Sequence, residues 1–364
     1  MAILQGFAAV STLDVVETAA EAEAQERPPL IVRRPLREFL DHQQLGEGHV
    51  EVEPIGEGHS NVTYMLTRSG EKFVLRRPPR PPVPPSANDV LRESRILRGL
   101  QTTDVPTPDV LAVCDDESVI GAPFYVMPFL EGEVITTEMP PELDNPEQRR
   151  ATAFELVDTL AKIHAVDWAH HGLDTLAKHT GYLERQVSRF LGLWEYSKTR
   201  ELPLVQEVGE WLQQNMPETP QTTIVHGDYR LGNTMFETTA PATLIAVFDW
   251  EMSTLGDPLA DLGYMTATWS RPGGGYGTTF DLTTVTHADG FPEREELAER
   301  YAEMSGRSVG DLKWYQALAI WKAVVFMEGN YKRAMLGNSD DPYLKGFGEG
   351  VVQLAEAAKR IVES

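Results

Sequence analysis

The segments Ile224-Val225-His226-Gly227-Asp228-Tyr229-Arg230-Leu231-Gly232-Asn233 and Ala246-Val247-Phe248-Asp249-Trp250-Glu251 place an acid, an amide and a second acid in one short stretch of chain. Magnesium-dependent phosphoryl transfer needs this set: a carboxylate to orient the attacking hydroxyl and take its proton, and oxygen ligands to hold Mg2+ on a triphosphate. Asp228 fits the first role. Asn233 can return to a metal across a tight loop, and Asp249 can supply a charged ligand from the end of the next apolar strand, since Mg2+ is bound through one or two carboxylates plus substrate phosphates. Arg230, two residues after the acid, stands where a cation faces the transferred phosphate. In an extended segment Glu251 shares a face with Asp249, which makes it a candidate third metal ligand. His226 reads as a loop-orienting residue bonded to backbone, because Asp228 already fills the proton-accepting position. The chemistry expected is transfer from ATP, with Mg2+, to a small hydroxylated molecule.

Four other segments must position these residues. In Ile55-Gly56-Glu57-Gly58-His59-Ser60-Asn61-Val62-Thr63-Tyr64 a glycine turn joins two strand-like runs, and its backbone amides can lie over phosphates; Gly56, Gly58, Ser60 and Asn61 are the candidates there, although two glycines between strands also describe an ordinary hairpin. Lys72-Phe73-Val74-Leu75-Arg76-Arg77 alternates like a strand. Arg76, after the apolar run, is the candidate cation for the nucleotide phosphates, braced by Glu93 on the following helix. Gly121 to Gly132 reads as a buried strand running into a Pro-containing link, a hinge whose free backbone groups can meet an adenine edge, with Met127 and Phe129 as the named neighbours. Phe154 to Asp167 has apolar positions at helical spacing. Its His164 reads as a hydrogen-bonded core residue.

His226-Gly227-Asp228 with Asn233, followed by Asp249 on an apolar strand, resembles the aminoglycoside phosphotransferase and choline kinase superfamily. Asp249-Trp250-Glu251 with Leu255-Gly256-Asp257-Pro258-Leu259-Ala260-Asp261-Leu262-Gly263 is similar, more narrowly, to the branch related to the kinase-like domain of acyl-CoA dehydrogenases. The similarity runs from about Val50 to the C-terminus. It implies an α+β, protein-kinase-like bilobal fold with a small antiparallel-sheet N-lobe and a mainly helical C-lobe. It also implies a Lys or Arg at the place of Arg76, Asp261 as the buried acid that ties down the catalytic loop, and a small hydroxy acid or its coenzyme A thioester as acceptor. Three alternatives stay open: an aminoglycoside, which calls for an acidic pocket; choline or a related amino alcohol, which calls for an aromatic cage; and a pseudokinase module that binds nucleotide without turnover. Trp194, Tyr196, Trp269, Trp314, Tyr315 and Trp321 are the aromatic residues available for a cage.

At 364 residues the chain suits two lobes around a cleft, and 41% hydrophobic residues can build full cores. A single cysteine, Cys114, excludes an intramolecular disulfide framework. A formal charge of -23 opposes nucleic acid and anionic membrane surfaces, and the start of the chain lacks the basic region of a secretory signal. A cytoplasmic location is expected; nothing in the sequence sets an oligomeric state. The expected organisation is a partly flexible N-terminal extension over 1–45, mobile or loosely docked up to about residue 30 and then forming a short helix from Pro35 to Leu45, a nucleotide-binding lobe over 46–130, and a helical lobe over 131–364 interrupted by two short strands. A Pro-rich run from Pro78 to Pro85 reads as a stiff connector, and Arg271-Pro272-Gly273-Gly274-Gly275-Tyr276-Gly277 as a loop on the substrate side.

Overall fold

The computed structural model describes residues 14–55, 61–81, 88–219, 221–270, 282–337, 344 and 346–364. Gly56, Gly58 and Ser60, the 271–277 loop, the first residues of the chain and most of the Pro-rich run lie outside them. The chain divides into two compact units: the residues up to Thr102 with Thr107–Glu131, and Thr103–Pro106 with Gly132–Ser364.

In the first unit β1 (Val15–Val16) and β2 (Ile31–Val32) pair in parallel around α1 (Ala19–Glu23), and α2 (Arg33–His42) follows. The main sheet is antiparallel, with β3 (Glu51–Pro54), β4 (Val62–Arg68), β5 (Glu71–Arg77), β6 (Ala112–Cys114) and β7 (Phe124–Pro128) in the order β3-β4-β5-β7-β6; α3 (Val90–Leu100) precedes β6 in the chain. The antiparallel pairing of β4 with β5 fixes the register. Tyr64 lies opposite Leu75 and Leu66 opposite Phe73, so one face buries these four side chains with Val52, Phe124 and Val126. That core also contains Leu30, Ile31, Leu36 and Leu40.

The expectation of a mobile or loosely docked segment up to about residue 30 is therefore corrected for Asp14 to Leu30. Buried Arg77 donates to the Leu30 and Ile120 carbonyls, Arg80 donates to Pro28 O and Asp14, and buried Arg68 reaches the Leu45 carbonyl and Asp41. Apolar Leu30-Ile31-Val32 outweighs the Ala/Glu-rich composition around it, because burial depends on the individual side chains and not on the regional average.

The second unit contains β8 (Glu133–Val134), α4 (Pro146–Ala165), α5 (Tyr182–Ser197), α6 (Pro203–Gln214), β9 (Thr223–Val225), β10 (Thr234–Phe236), β11 (Leu244–Val247), β12 (Thr254–Gly256), α7 (Leu259–Thr268), α8 (Arg294–Ser305), α9 (Leu312–Met335) and α10 (Phe347–Glu363). Five short strands stand where two were expected. They form two small antiparallel sheets, β11-β10-β8 and β12-β9. Trp314, Trp321 and Trp269 are buried among the helices and donate their indole N–H groups to the carbonyls of Leu212, Val205 and Pro292. Among the described residues no helix is long and apolar enough to cross a membrane.

Candidate active site

The loop from His226 to Asn233 connects β9 to β10, and the residues around it fix nearly every bond it makes. Asp261, in the first turn of α7 and buried, takes the backbone N–H of His226 on Oδ2 (2.6 Å) and that of Gly227 on Oδ1 (2.8 Å). His164 of α4 donates from Nε2 to the same carboxylate (3.2 Å) and accepts the Tyr301 hydroxyl at Nδ1 (2.6 Å). Burial pushes the His164 pKa below its ordinary value, so the ring is neutral at pH 7 in the Nε2–H tautomer. Burial also pushes Asp261 upward, but the donors converging on it outweigh that and hold it below the usual carboxylate range. This is an ionised acid clamped by hydrogen-bond donors.

His226 donates from Nε2 to Phe248 O (2.8 Å) and accepts the Asp228 N–H at Nδ1 (3.2 Å), the backbone-orienting role its position suggested. Gly227 has φ +90, and a Cβ there would lie 2.9 Å from Met252 O, so this position admits only glycine. Buried Tyr229 anchors the loop to α4 through its hydroxyl on Leu156 O (2.7 Å). The sequence reading missed Tyr229, because a tyrosine flanked by loop residues carries no periodicity that marks it as buried.

The side chains so positioned form one cluster. Asn233 donates from Nδ2 to Asp228 O and to Asp228 Oδ2, both at 2.8 Å. Both amide hydrogens are thus committed, which leaves Asn233 Oδ1 as the outward oxygen. Arg230 folds back over Gly232, where an added Cβ would overlap its guanidinium, and brings its Nε to 3.6 Å from Asp228 Oδ1. That Nε is buried and makes no hydrogen bond. Asn233 O receives the Phe248 N–H (2.9 Å), the last rung of the β10–β11 ladder, so Asp249 follows directly beside Asn233. Asp249 has φ 64 and ψ 57, the left-handed region, a strained conformation for a residue with a Cβ.

The argument that placed Glu251 on one face with Asp249 does not hold. Extended structure ends at Val247, and Trp250–Met252 is a turn of 3-10 helix, so two-residue alternation no longer applies. Among the described residues no group of three or more His, Cys, Asp and Glu side chains is arranged to hold a metal. What remains is one amide oxygen and one carboxylate, a hard-oxygen pair suited to Mg2+, which takes few protein ligands and completes its octahedron with phosphates and water.

Tyr264 also belongs to this cluster and has no signal in the sequence. Half-buried on α7, one turn beyond Asp261, it has a phenol whose pKa burial, and then the charge of Asp228, raises well above its ordinary value. Asp257 accepts from the Leu259 N–H (2.9 Å) and the Tyr315 hydroxyl (2.8 Å), and burial raises its pKa.

In the first unit, Arg76 of β5 donates from Nε to Glu93 Oε2 of α3 at 2.9 Å, with Glu93 buried in the first turn of its helix. Lys72 is exposed, with its ammonium 5.3 Å from the Phe129 ring centroid. Asn61 is buried next to β4. Met127 lies opposite Val74 within the sheet. The Phe129 N–H is taken by Lys72 O at 3.3 Å, so the expected free donor at Phe129 is absent. Cys114 is buried, which raises its thiol pKa and leaves it an inert core residue.

Residues 51–317 match the profile of the phosphotransferase enzyme family. Chicken acyl-CoA dehydrogenase family member 11 is 33% identical over 316 residues, 85% of this chain and 40% of that protein. Mouse acyl-CoA dehydrogenase family member 10 is 32% identical over 317 residues, 85% of this chain and 29% of its own length. The chain thus spans less than half of these relatives. A crystal structure from Ralstonia eutropha JMP134, described as a candidate aminoglycoside phosphotransferase, superposes with a TM-score of 0.78 at 31% identity, covering 90% of this chain and 97% of that one. Aminoglycoside phosphotransferase APH(4)-Ia, in a ternary complex with AMP-PNP and hygromycin B, shares the fold at a TM-score of 0.59 and 16% identity, over 91% and 98% of the two chains. The chain belongs to the phosphotransferase enzyme family and has its α+β, protein-kinase-like fold.

Proposed function

We propose that this member of the phosphotransferase enzyme family moves the γ-phosphoryl group of ATP to a hydroxyl of a small acidic molecule. One observation carries the reading: Asp228, Asn233, Arg230 and Asp249 meet on one loop and the strand end beside it, with the amide of Asn233 holding the carboxylate of Asp228. The acceptor oxygen attacks the γ-phosphorus as the bond to the β-phosphate oxygen breaks. Asp228 receives the hydroxyl proton, and ADP carries away the bonding pair. Arg230 sets its guanidinium against the phosphoryl oxygens. Asn233 and Asp249 would hold Mg2+, which offsets the charge on the phosphates when bound. In the first unit Arg76, fixed by Glu93, is assigned to the nucleotide phosphates. Gly56, Gly58, Ser60 and Asn61 keep the same assignment from the sequence, and Met127 keeps its place as adenine neighbour.

Two features of the second unit favour an acidic acceptor, a hydroxy acid or hydroxyacyl-CoA, over a cationic one. Lys322 lies with its ammonium 4.9 Å from the Phe190 ring centroid, and burial followed by the charge of Arg189 lowers its pKa to about 8. Neither cation has an ion-pair partner among the described residues, an arrangement suited to receiving an anion. Secondly, of the six aromatic residues available for a choline cage, only Tyr196 is exposed; the other five are core.

The test is a panel of hydroxy acids, hydroxyacyl-CoA thioesters, aminoglycosides and amino alcohols with purified protein, Mg2+ and ATP, read as ADP release. Asp228→Asn should lower acceptor-dependent release by about 10²–10⁴-fold while MgATP affinity stays within about twofold. Wild-type turnover in that variant would rule out Asp228 as the proton acceptor. Nucleotide binding without release on any acceptor would instead favour a pseudokinase.

A further inference from the structure

Asp261 holds the catalytic loop, and Asp261 is in turn held from outside the catalytic segment. His164 of α4 donates from Nε2 to Asp261 Oδ2 at 3.2 Å, the same oxygen that takes the His226 N–H at 2.6 Å. The other nitrogen of the ring faces α8, where the Tyr301 hydroxyl lies 2.6 Å from Nδ1. An unbroken path of hydrogen bonds thus runs from Tyr301 through His164 and Asp261 to the backbone of His226 and Gly227, and on through the His226 ring to the N–H of Asp228. Every member of the path lies in the second unit.

We propose that Tyr301 is a positioning residue for phosphoryl transfer, acting through His164 and Asp261 on the loop that carries Asp228, a role that rests on the transfer chemistry assigned above to Asp228. A neutral imidazole carries its proton on either nitrogen, and the bond made by one nitrogen decides which of the two holds it. A carboxylate only accepts. His164 therefore serves Asp261 in one tautomer alone, with the proton on Nε2; the other tautomer sets a lone pair against the carboxylate. The phenol of Tyr301, by donating to Nδ1, enforces the first. His164 is 1% exposed and Tyr301 0%, so water cannot take the place of that donor. Burial raises the pKa of the phenol and lowers that of the imidazole, so the phenol keeps its proton and the ring stays neutral. The charged groups around the ring are Asp261 and Asp257 on the α7 side and Arg307 beyond α8, which donates to His164 O at 3.0 Å. The two carboxylates favour a protonated ring, and the phenol occupies the nitrogen at which a second proton would enter. The place of α8 on α4 does not depend on this bond. Arg300 reaches the two oxygens of Asp158 at 2.8 and 2.7 Å, Arg150 pairs with Glu296 at 2.6 Å, and the rings of Tyr301 and His164 pack edge to face at 5.6 Å.

The experiment compares wild type, Tyr301→Phe, His164→Gln and the double variant. Phenylalanine keeps the ring and its packing and removes only the donor; glutamine offers Asp261 an amide N–H and has no tautomer to set. The readouts are the His164 ring nitrogen resonances and the His226 and Gly227 backbone amide resonances from pH 8 to 5, melting temperature, MgATP affinity by calorimetry, and kcat and KM for ADP release with water as the acceptor. In wild type the ring should stay in the Nε2–H form at every pH. In Tyr301→Phe it should take up a proton as pH falls, and the two loop amides should shift with it. At pH 7 kcat should fall by about 3–10-fold, the effect of one lost hydrogen bond, with KM for ATP near wild type, and the ratio of variant to wild-type kcat should change over the range in which the ring titrates. In the His164→Gln background the same substitution should change kcat by less than about twofold. A ring that keeps the Nε2–H form in Tyr301→Phe with unmoved loop amides overturns the inference, and these two readouts need no second variant. Equal kcat losses in both backgrounds would show a merely structural tyrosine and overturn it as well. If the wild type neither binds MgATP nor releases ADP, the phosphotransferase reading fails, and the loop amides decide the positioning by themselves: unmoved, they overturn it.

Discussion

Replacing Asp261 with Asn tests the physical basis of the loop, because it preserves volume and changes only which atoms can accept. The carboxylate receives three donors, His226 N–H and His164 Nε2–H on one oxygen and Gly227 N–H on the other. A carboxamide has one acceptor oxygen and one donor group. Placed to keep the first two bonds, Asn sets its NH2 against the Gly227 N–H; flipped, it strands two donors. The better rotamer therefore leaves one buried N–H unsatisfied, costing about 1–3 kcal/mol, and reduces two charge-assisted bonds to neutral ones at about 1 kcal/mol each. The sum is about 3–5 kcal/mol, which at roughly 2–4 °C per kcal/mol for a unit of this size lowers the melting temperature by about 10 °C. Urea unfolding followed by tryptophan fluorescence at pH 7, compared with wild type, reads it directly. The pH dependence carries an independent sign. The folded-state pKa of Asp261 is depressed, so its stabilisation is complete above the ordinary carboxylate value of about 3.9 and is lost as pH falls through the lower folded value. The gap between wild type and variant should accordingly stay constant from pH 7 to about 5 and close in stronger acid. A gap under about 1 kcal/mol at pH 7, or one that widens on acidification, would refute the reasoning.

Asp249→Asn should lower MgATP affinity by at least about tenfold in calorimetric titration while the protein stays folded, since Asn accepts the left-handed conformation at this position more readily than most residues; unchanged affinity would remove Asp249 from the metal site. For the Arg76–Glu93 pair, Arg76→Ala should weaken MgATP binding and Glu93→Ala should do so to a lesser degree, with the double variant falling short of the sum by about 0.5–3 kcal/mol. Strict additivity in that cycle would mean that their 2.9 Å contact does not position the cation.

The sequence made legible what depends on short spacing. Asp228, Arg230 and Asn233 lie within one short loop, so their spacing alone foretold that they meet, and helices as long as α4 and α9 declare themselves through periodicity. The misread parts depend on details that spacing does not carry. Glu251 was placed with Asp249 on the assumption of continuous strand, but one left-handed residue at Asp249 ends the alternation. The strands of the second unit run two to four residues, too short for a period of two to register. Tyr229 and Tyr264 looked like ordinary aromatic residues. The partner of Tyr229 lies 73 residues away at Leu156, which is information that only the folded chain contains.

The hydrogen bonds of the loop also decide how it can recognise a phosphate. Glycine-rich phosphate loops use free backbone N–H groups as the anion site. Here the donors of His226 and Gly227 are spent on Asp261, and that of Asp228 on the ring of His226. No amide in that tripeptide is left for an anion. On the proposed function, phosphate recognition on this side would draw on side chains, on Arg230 with its buried and unbonded Nε and on the oxygens of Asn233 and Asp249 acting through a cation. Backbone recognition tolerates substitution because every residue but proline supplies an N–H, whereas side-chain recognition does not. The same bonds that fix this tripeptide thus withhold the amides of His226, Gly227 and Asp228 from standing in for a lost neighbouring side chain.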